Sequence, residues 1–99
     1  MKKMFFIALF ATSSLFAHTA LMSCFDNGDG SVTCEGGFSD GSSASGINFL
    51  VLQNGNVIES GKMDGHSEYT FDKPEGDYEA VFDAGEGHKV IVKSSDIAL

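Results

Sequence analysis

Residues 76–92 read Gly-Asp-Tyr-Glu-Ala-Val-Phe-Asp-Ala-Gly-Glu-Gly-His-Lys-Val-Ile-Val, and their alternation decides the fold. Tyr78, Ala80 and Phe82 alternate with Asp77, Glu79 and Asp83, and after Gly85 and Gly87 a second alternation places His88, Val90 and Val92 opposite Lys89, Ile91 and Lys93. A period of two on both sides of a glycine-rich turn is a β-hairpin. It also sets a histidine at the first inward position of the second strand, five residues after the aspartate that closes the first.

The rest of the chain has the same grain. Asn27-Gly28-Asp29-Gly30 is a turn between candidate strands at residues 18–25 and 32–38. With that turn centred on Asp29, Cys24 and Cys34 are equidistant from it and face each other across the hairpin, which predicts a cross-strand disulfide. Residues 39–46 form a polar loop of small residues, long enough to cross to another sheet. Residues 47–52 are apolar on both faces, as a central strand requires, and Asn54-Gly55 closes a hairpin onto residues 57–63. Asp64-Gly65 turns into residues 66–71, where Tyr69 and Phe71 share a face. The last residues, 94–99, read as a frayed tail. About seven short strands with a turn between each predict an all-β, two-sheet antiparallel sandwich of transthyretin or immunoglobulin-like type.

Compartment follows from the first residues. Met-Lys-Lys-Met-Phe-Phe-Ile-Ala-Leu-Phe-Ala is a basic start followed by an apolar run too short to span a bilayer, and Ala17 suits the last position before a cut. Residues 1–17 are therefore expected to be a secretory signal, leaving a single domain over 18–99 in the periplasm or outside the cell. The competing cut is at Leu21-Met22-Ser23-Cys24, which resembles a lipobox and would lipidate Cys24. A mature domain this small benefits from a covalent staple, and the oxidising compartment supports the Cys24–Cys34 pairing over a thiolate metal site. With Lys2 and Lys3 removed, four lysines face fourteen acids and no arginine, a formal net charge of −10. Nucleic acid and anionic membranes are excluded as direct partners on that charge, whereas metal cations and basic proteins are favoured.

Cleavage after Ala17 would make His18 the first residue. Its α-amine and ring could then chelate one metal ion, and imidazole with amine suits Ni(II), Cu(II) or Zn(II) better than Ca(II) or Mg(II). His88 is the leading further ligand, with Asp83, Glu86 and His66 behind it. The plainer alternatives are a chance histidine at a chain end for His18, a core-edge histidine bonded to Asp83 for His88, and a solvated turn residue for His66. The segment 25–36 has part of a calcium-loop pattern, but Phe25 and Gly36 stand where the first and last acidic ligands belong, so no such loop is expected. Nothing places a nucleophile on an elbow turn, and no catalytic activity is expected.

The order Asn54-Gly55-Asn56-Val57, Asp64-Gly65, Tyr69-Thr70-Phe71, Pro74-Glu75-Gly76-Asp77-Tyr78 resembles the carboxypeptidase-regulatory-like, transthyretin-type sandwich. The ending Asp83-Ala84-Gly85-Glu86-Gly87-His88, with a leading His18 and the segment Glu35-Gly36-Gly37-Phe38-Ser39-Asp40-Gly41-Ser42, is similar to periplasmic accessory proteins of nickel and cobalt uptake transporters. The resemblance implies non-catalytic binding of a transition metal, nickel first, in support of a membrane metal-uptake transporter. It carries over His18 and His88 as ligands, and Asp83 as the partner that fixes the His88 ring. The rival expectation is a structural or protein-interaction module of the cell envelope with no metal role.

Overall fold

The computed structural model describes residues 19–97, so the expected signal segment 1–17, its cut site and His18 lie outside the described residues. Seven strands run through the described residues: β1 (Ala20–Asp26), β2 (Ser31–Phe38), β3 (Asn48–Gln53), β4 (Asn56–Lys62), β5 (Glu68–Asp72), β6 (Glu79–Asp83) and β7 (Lys89–Lys93). They form a three-stranded sheet in the order β1-β2-β5 and a four-stranded sheet in the order β4-β3-β6-β7, with every neighbouring pair antiparallel. The chain changes sheet after β2, β4 and β5, and this is the immunoglobulin-like order with the fourth strand carried by the larger sheet. β1 also lies along β7 at one side of the sandwich. No helix among the described residues is long and apolar enough to cross a membrane.

Local chemistry explains the turns. Asn54 and Gly55 both have positive φ, 53° and 81°, the pair that a two-residue hairpin turn needs to match strand twist. In the first hairpin Cys24 stands directly opposite Cys34 and the two are joined, with their Cα atoms 4.0 Å apart, so the register expected from a turn centred on Asp29 is the observed one. The polar crossing after β2 and the central position of β3 also match expectation.

Period-two burial builds the core between the sheets. Phe49 and Val51 from β3, Ala80 and Phe82 from β6, Val32 and Cys34 from β2 and Phe71 from β5 are all buried, together with Tyr78 just before β6. The Phe49 ring stacks on Tyr69 at 4.4 Å and lies 5.7 Å from Phe71, so rings from both sheets interlock. Two inward glycines make room for them. A Cβ on Gly61 would stand 2.6 Å from the Tyr69 ring, and one on Gly36 would meet the Phe82 ring, 2.7 Å from Cδ2. Tyr69 ends its reach under β4 by donating its hydroxyl to the Glu59 carboxylate at 2.7 Å.

The tail departs from expectation. Ser94–Asp96 form a 3₁₀ turn, the Ser94 amide donates to the Tyr78 carbonyl at 2.9 Å, and the Tyr78 amide donates to the Ser94 hydroxyl at 3.1 Å. Ile97 packs against the core. A segment of this polarity carries no strand period, and two bonds to Tyr78 hold it where burial alone would not.

One ion pair ties the ends of the smaller sheet to the crossing before β6. Lys73 Nζ lies 2.7 Å from Asp26 Oδ2, whose side chain is only 8% exposed, and the Lys73 amide donates to the Gly30 carbonyl at 2.8 Å. The Lys73 ammonium and the Gly28 amide hold the Asp26 carboxyl below the usual carboxylate range, and Ser31 does the same for Asp29. Because these folded-state values are depressed, their stabilisation is present at neutral pH and is lost as pH falls from about 4 downward. In urea titrations by circular dichroism, stability is expected to drop between pH 5 and pH 2, and Asp26→Asn should flatten that drop. An identical acid profile for the variant would show that the pair contributes nothing.

Candidate metal-binding end

Strand order brings four pieces of chain to one end of the sandwich. Asn48, at the start of β3, pairs with Lys62 at the end of β4 and with Asp83 at the end of β6, and Asp83 pairs with Lys89 at the start of β7. In the other sheet the start of β1 pairs with the end of β2 through Ala20 and Phe38. The N-terminal approach to β1 therefore shares this end with the loops at 39–47, 63–67 and 84–88. Hydrogen bonds join the first three of these pieces. The Thr19 amide donates to the Ser39 hydroxyl at 3.1 Å and the Ser39 amide to the Thr19 carbonyl at 2.9 Å. The Ala44 amide donates to the Ser67 hydroxyl at 2.9 Å, and Gly46 and Met63 are joined by a 2.9 Å bond.

His88 sits one residue before β7, half-buried in the 84–88 loop, whose ends are closed by Ala84 N to His88 O at 3.0 Å and His88 N to Gly85 O at 2.9 Å. Its ring Nδ1 lies 3.1 Å from the Glu86 carbonyl oxygen. A carbonyl only accepts, so Nδ1 carries the proton, and in the neutral ring Nε2 keeps a free lone pair. That is the state in which a histidine ligates a metal.

Asp83 does not take the part expected of it. Its Oδ1 accepts from the Gly85 amide at 3.0 Å and its Oδ2 lies 4.0 Å from Lys89 Nζ, while the His88 ring is held by Glu86 instead. The pleat gives the reason: Phe82 points inward, so Asp83 points outward beside its cross-strand partner Lys89. The backbone carbonyl that replaces it leaves no trace in side-chain identity, and only the tight Gly85-Glu86-Gly87 turn hints at it.

His66 is exposed in the 63–67 loop. Asp64 Oδ1 accepts from the His66 amide at 2.8 Å and from the Glu68 amide at 3.0 Å, and these two bonds hold the Asp64 carboxyl below the usual range. His66, Asp83 and His88 thus share an end of the fold without converging. Among the described residues no three His, Cys, Asp or Glu side chains form a group able to hold a metal ion. Both cysteines are consumed in the disulfide. His18, the remaining expected ligand, lies outside the described residues, and Thr19 places its point of attachment at this same end. The opposite end carries an open groove of about 370 Å³ lined by Leu52, Asn54, Asp77, Glu79, Lys93 and Ser95 among others, with no imidazole.

Compared with protein-family models, with curated proteins and with solved structures, the chain matches none.

Proposed function

We propose that the chain is a non-catalytic, extracytoplasmic binding protein for a divalent transition-metal ion, nickel first, with cobalt, copper or zinc as the other candidates, and that it serves uptake by a membrane transporter. The ion is cargo. It is taken at the loop end of the sandwich by His88 Nε2 and by the amine and ring of His18 once cleavage has made His18 the first residue. The observation that carries this function is the His88 Nδ1 contact to the Glu86 carbonyl, which leaves Nε2 with its lone pair free. Two further features support it: the disulfide belongs to an oxidising compartment, and residues 1–17 have the order of a secretory signal. The donor set of two imidazoles and an amine fits nickel, cobalt, copper and zinc and does not fit calcium or magnesium. His66 and Asp83 are assigned no ligand role, because Asp83 is engaged by Gly85 and Lys89 and His66 stands on another loop.

Calorimetric titration of the processed protein with Ni(II) should give one ion per chain. His88→Ala, or one alanine inserted before His18, is expected to weaken binding more than about tenfold, since each removes a donor or opens the chelate. Acidification to about pH 5 should release the ion, because a protonated imidazole cannot ligate. Full affinity in both variants would refute the site, and retention of the ion in acid would point to carboxylate ligands.

A further inference from the structure

The outer face of the larger sheet carries an apolar stripe that the sandwich does not cover. Leu50 and Leu52 on β3 point away from the core, Val81 follows on β6 and Ile91 on β7, in the cross-strand rows Leu50–Val81–Ile91 and Val57–Leu52–Glu79. A register shift at Val51/Leu52 leaves Val57 and Ile58 together at the β4 edge, 57% and 49% exposed, while Ile91 is 56% exposed. Val81, between Leu50 and Ile91, is itself buried and is not part of the core cluster. Lysines rim the stripe. Lys62 bonds to Asn48 Oδ1 at 3.0 Å, Lys89 stands 4.0 Å from Asp83, and Lys93 pairs with Glu79 across the ladder. Three of the four lysines after residue 17 are on this face, which holds only Asp83 and Glu79 of the fourteen acids. A chain with a large negative charge thus concentrates its cations around exposed apolar side chains.

The outer face of the smaller sheet has the complementary chemistry. Leu21 and Phe25 on β1 are 50% and 38% exposed, and Glu35, Glu68 and Asp72 share their face with no lysine among them. Beside Leu21 an open depression of about 380 Å³ runs over Gly37, where a Cβ would meet nothing within 4 Å. An exposed apolar patch with a charged rim marks an interaction surface, and its occupant should be apolar and anionic. An anionic bilayer is disfavoured by the long-range repulsion of the whole chain. The surface of the right chemistry is the protein's own smaller sheet.

We propose that copies of this chain associate front to back, the Ile91, Leu52 and Val57 stripe of one copy seating on the Leu21, Gly37 and Phe25 face of the next, with Lys62, Lys89 and Lys93 meeting Glu35, Glu68 and Asp72. The two patches differ, so the contact is heterologous, every added copy leaves one patch free, and association continues past the dimer.

Sedimentation velocity in EDTA, which removes metal-bridged species, tests it between about 10 µM and about 1 mM, the range of weak protein contacts. The weight-average mass of the processed protein should rise with concentration beyond that of a dimer. Ile91→Glu and Phe25→Glu, both at exposed positions, should each stay monomeric alone and form a one-to-one heterodimer when mixed. Lys89→Glu with Glu35→Lys repeats the test by charge alone: each is expected to weaken self-association. A wild-type protein that stays monomeric, one that stops at a dimer, or complementary variants that do not pair would each overturn the proposal.

Discussion

Replacing both cysteines, as in Cys24→Ala with Cys34→Ala, is expected to lower stability by about 2–4 kcal/mol and the melting temperature by more than about 10 °C. The bridge closes a short loop, with a sequence separation of 10, so its constraint on the unfolded chain is near the lower part of that range. The position adds to it. Cys34 is fully buried in the core cluster, and half-buried Cys24 packs against that cluster from the edge strand β1, so the bridge holds the edge strand to the sheet beside the core. A domain this small has only about 5 kcal/mol to lose. Thermal melts with and without reductant, with free thiols counted, measure the effect, and an unchanged melting temperature after full reduction would show that the hairpin is held by other contacts.

Gly36→Ala is the second large effect, with an expected cost of about 1–3 kcal/mol from overpacking. Gly36 faces inward on β2, and its missing side chain is the slot that the Phe82 ring occupies, with Met63 closing it at 3.0 Å. Phe82 is itself fully buried and set edge-on to Phe38 at 5.7 Å, so the ring has nowhere to retreat. Gly37→Ala, one residue on, is the control. Its new methyl meets nothing within 4 Å and its φ is not positive, so stability should change by less than about 0.5 kcal/mol. Equal losses for the two variants in urea denaturation would mean that strand propensity, not the Phe82 contact, sets the cost.

These two effects mark what could be read from the sequence and what could not. The hairpin at 76–92, the Cys24–Cys34 register and the Asn54-Gly55 turn were legible because each depends on neighbours in sequence and on the period of two. The slot at Gly36 was not, because it is made by a residue 46 positions away on the other sheet. Residues 47–52 were read correctly as a central strand, yet their apolar outer side, Leu50 and Leu52, joins Val81 and Ile91 in a face without a partner in the fold. A both-faces apolar pattern does not distinguish a buried strand from one whose second face awaits another surface. At the candidate site the sequence supplied the histidines and their loops, but the gathering of those loops at one end follows from strand order. The partner of the His88 ring is a backbone carbonyl, which no side-chain pattern encodes.

The most direct test of the proposed metal-binding function combines intact mass with titration. The protein purified from its native compartment should have a mass that begins at His18 and is lighter than the dithiol form by the two hydrogens of the disulfide. It should bind one Ni(II) per chain, and His88→Ala should lose that ion while keeping the wild-type melting curve. A chain of that mass that binds no transition metal, or that binds it equally well without His88, would contradict the proposed site.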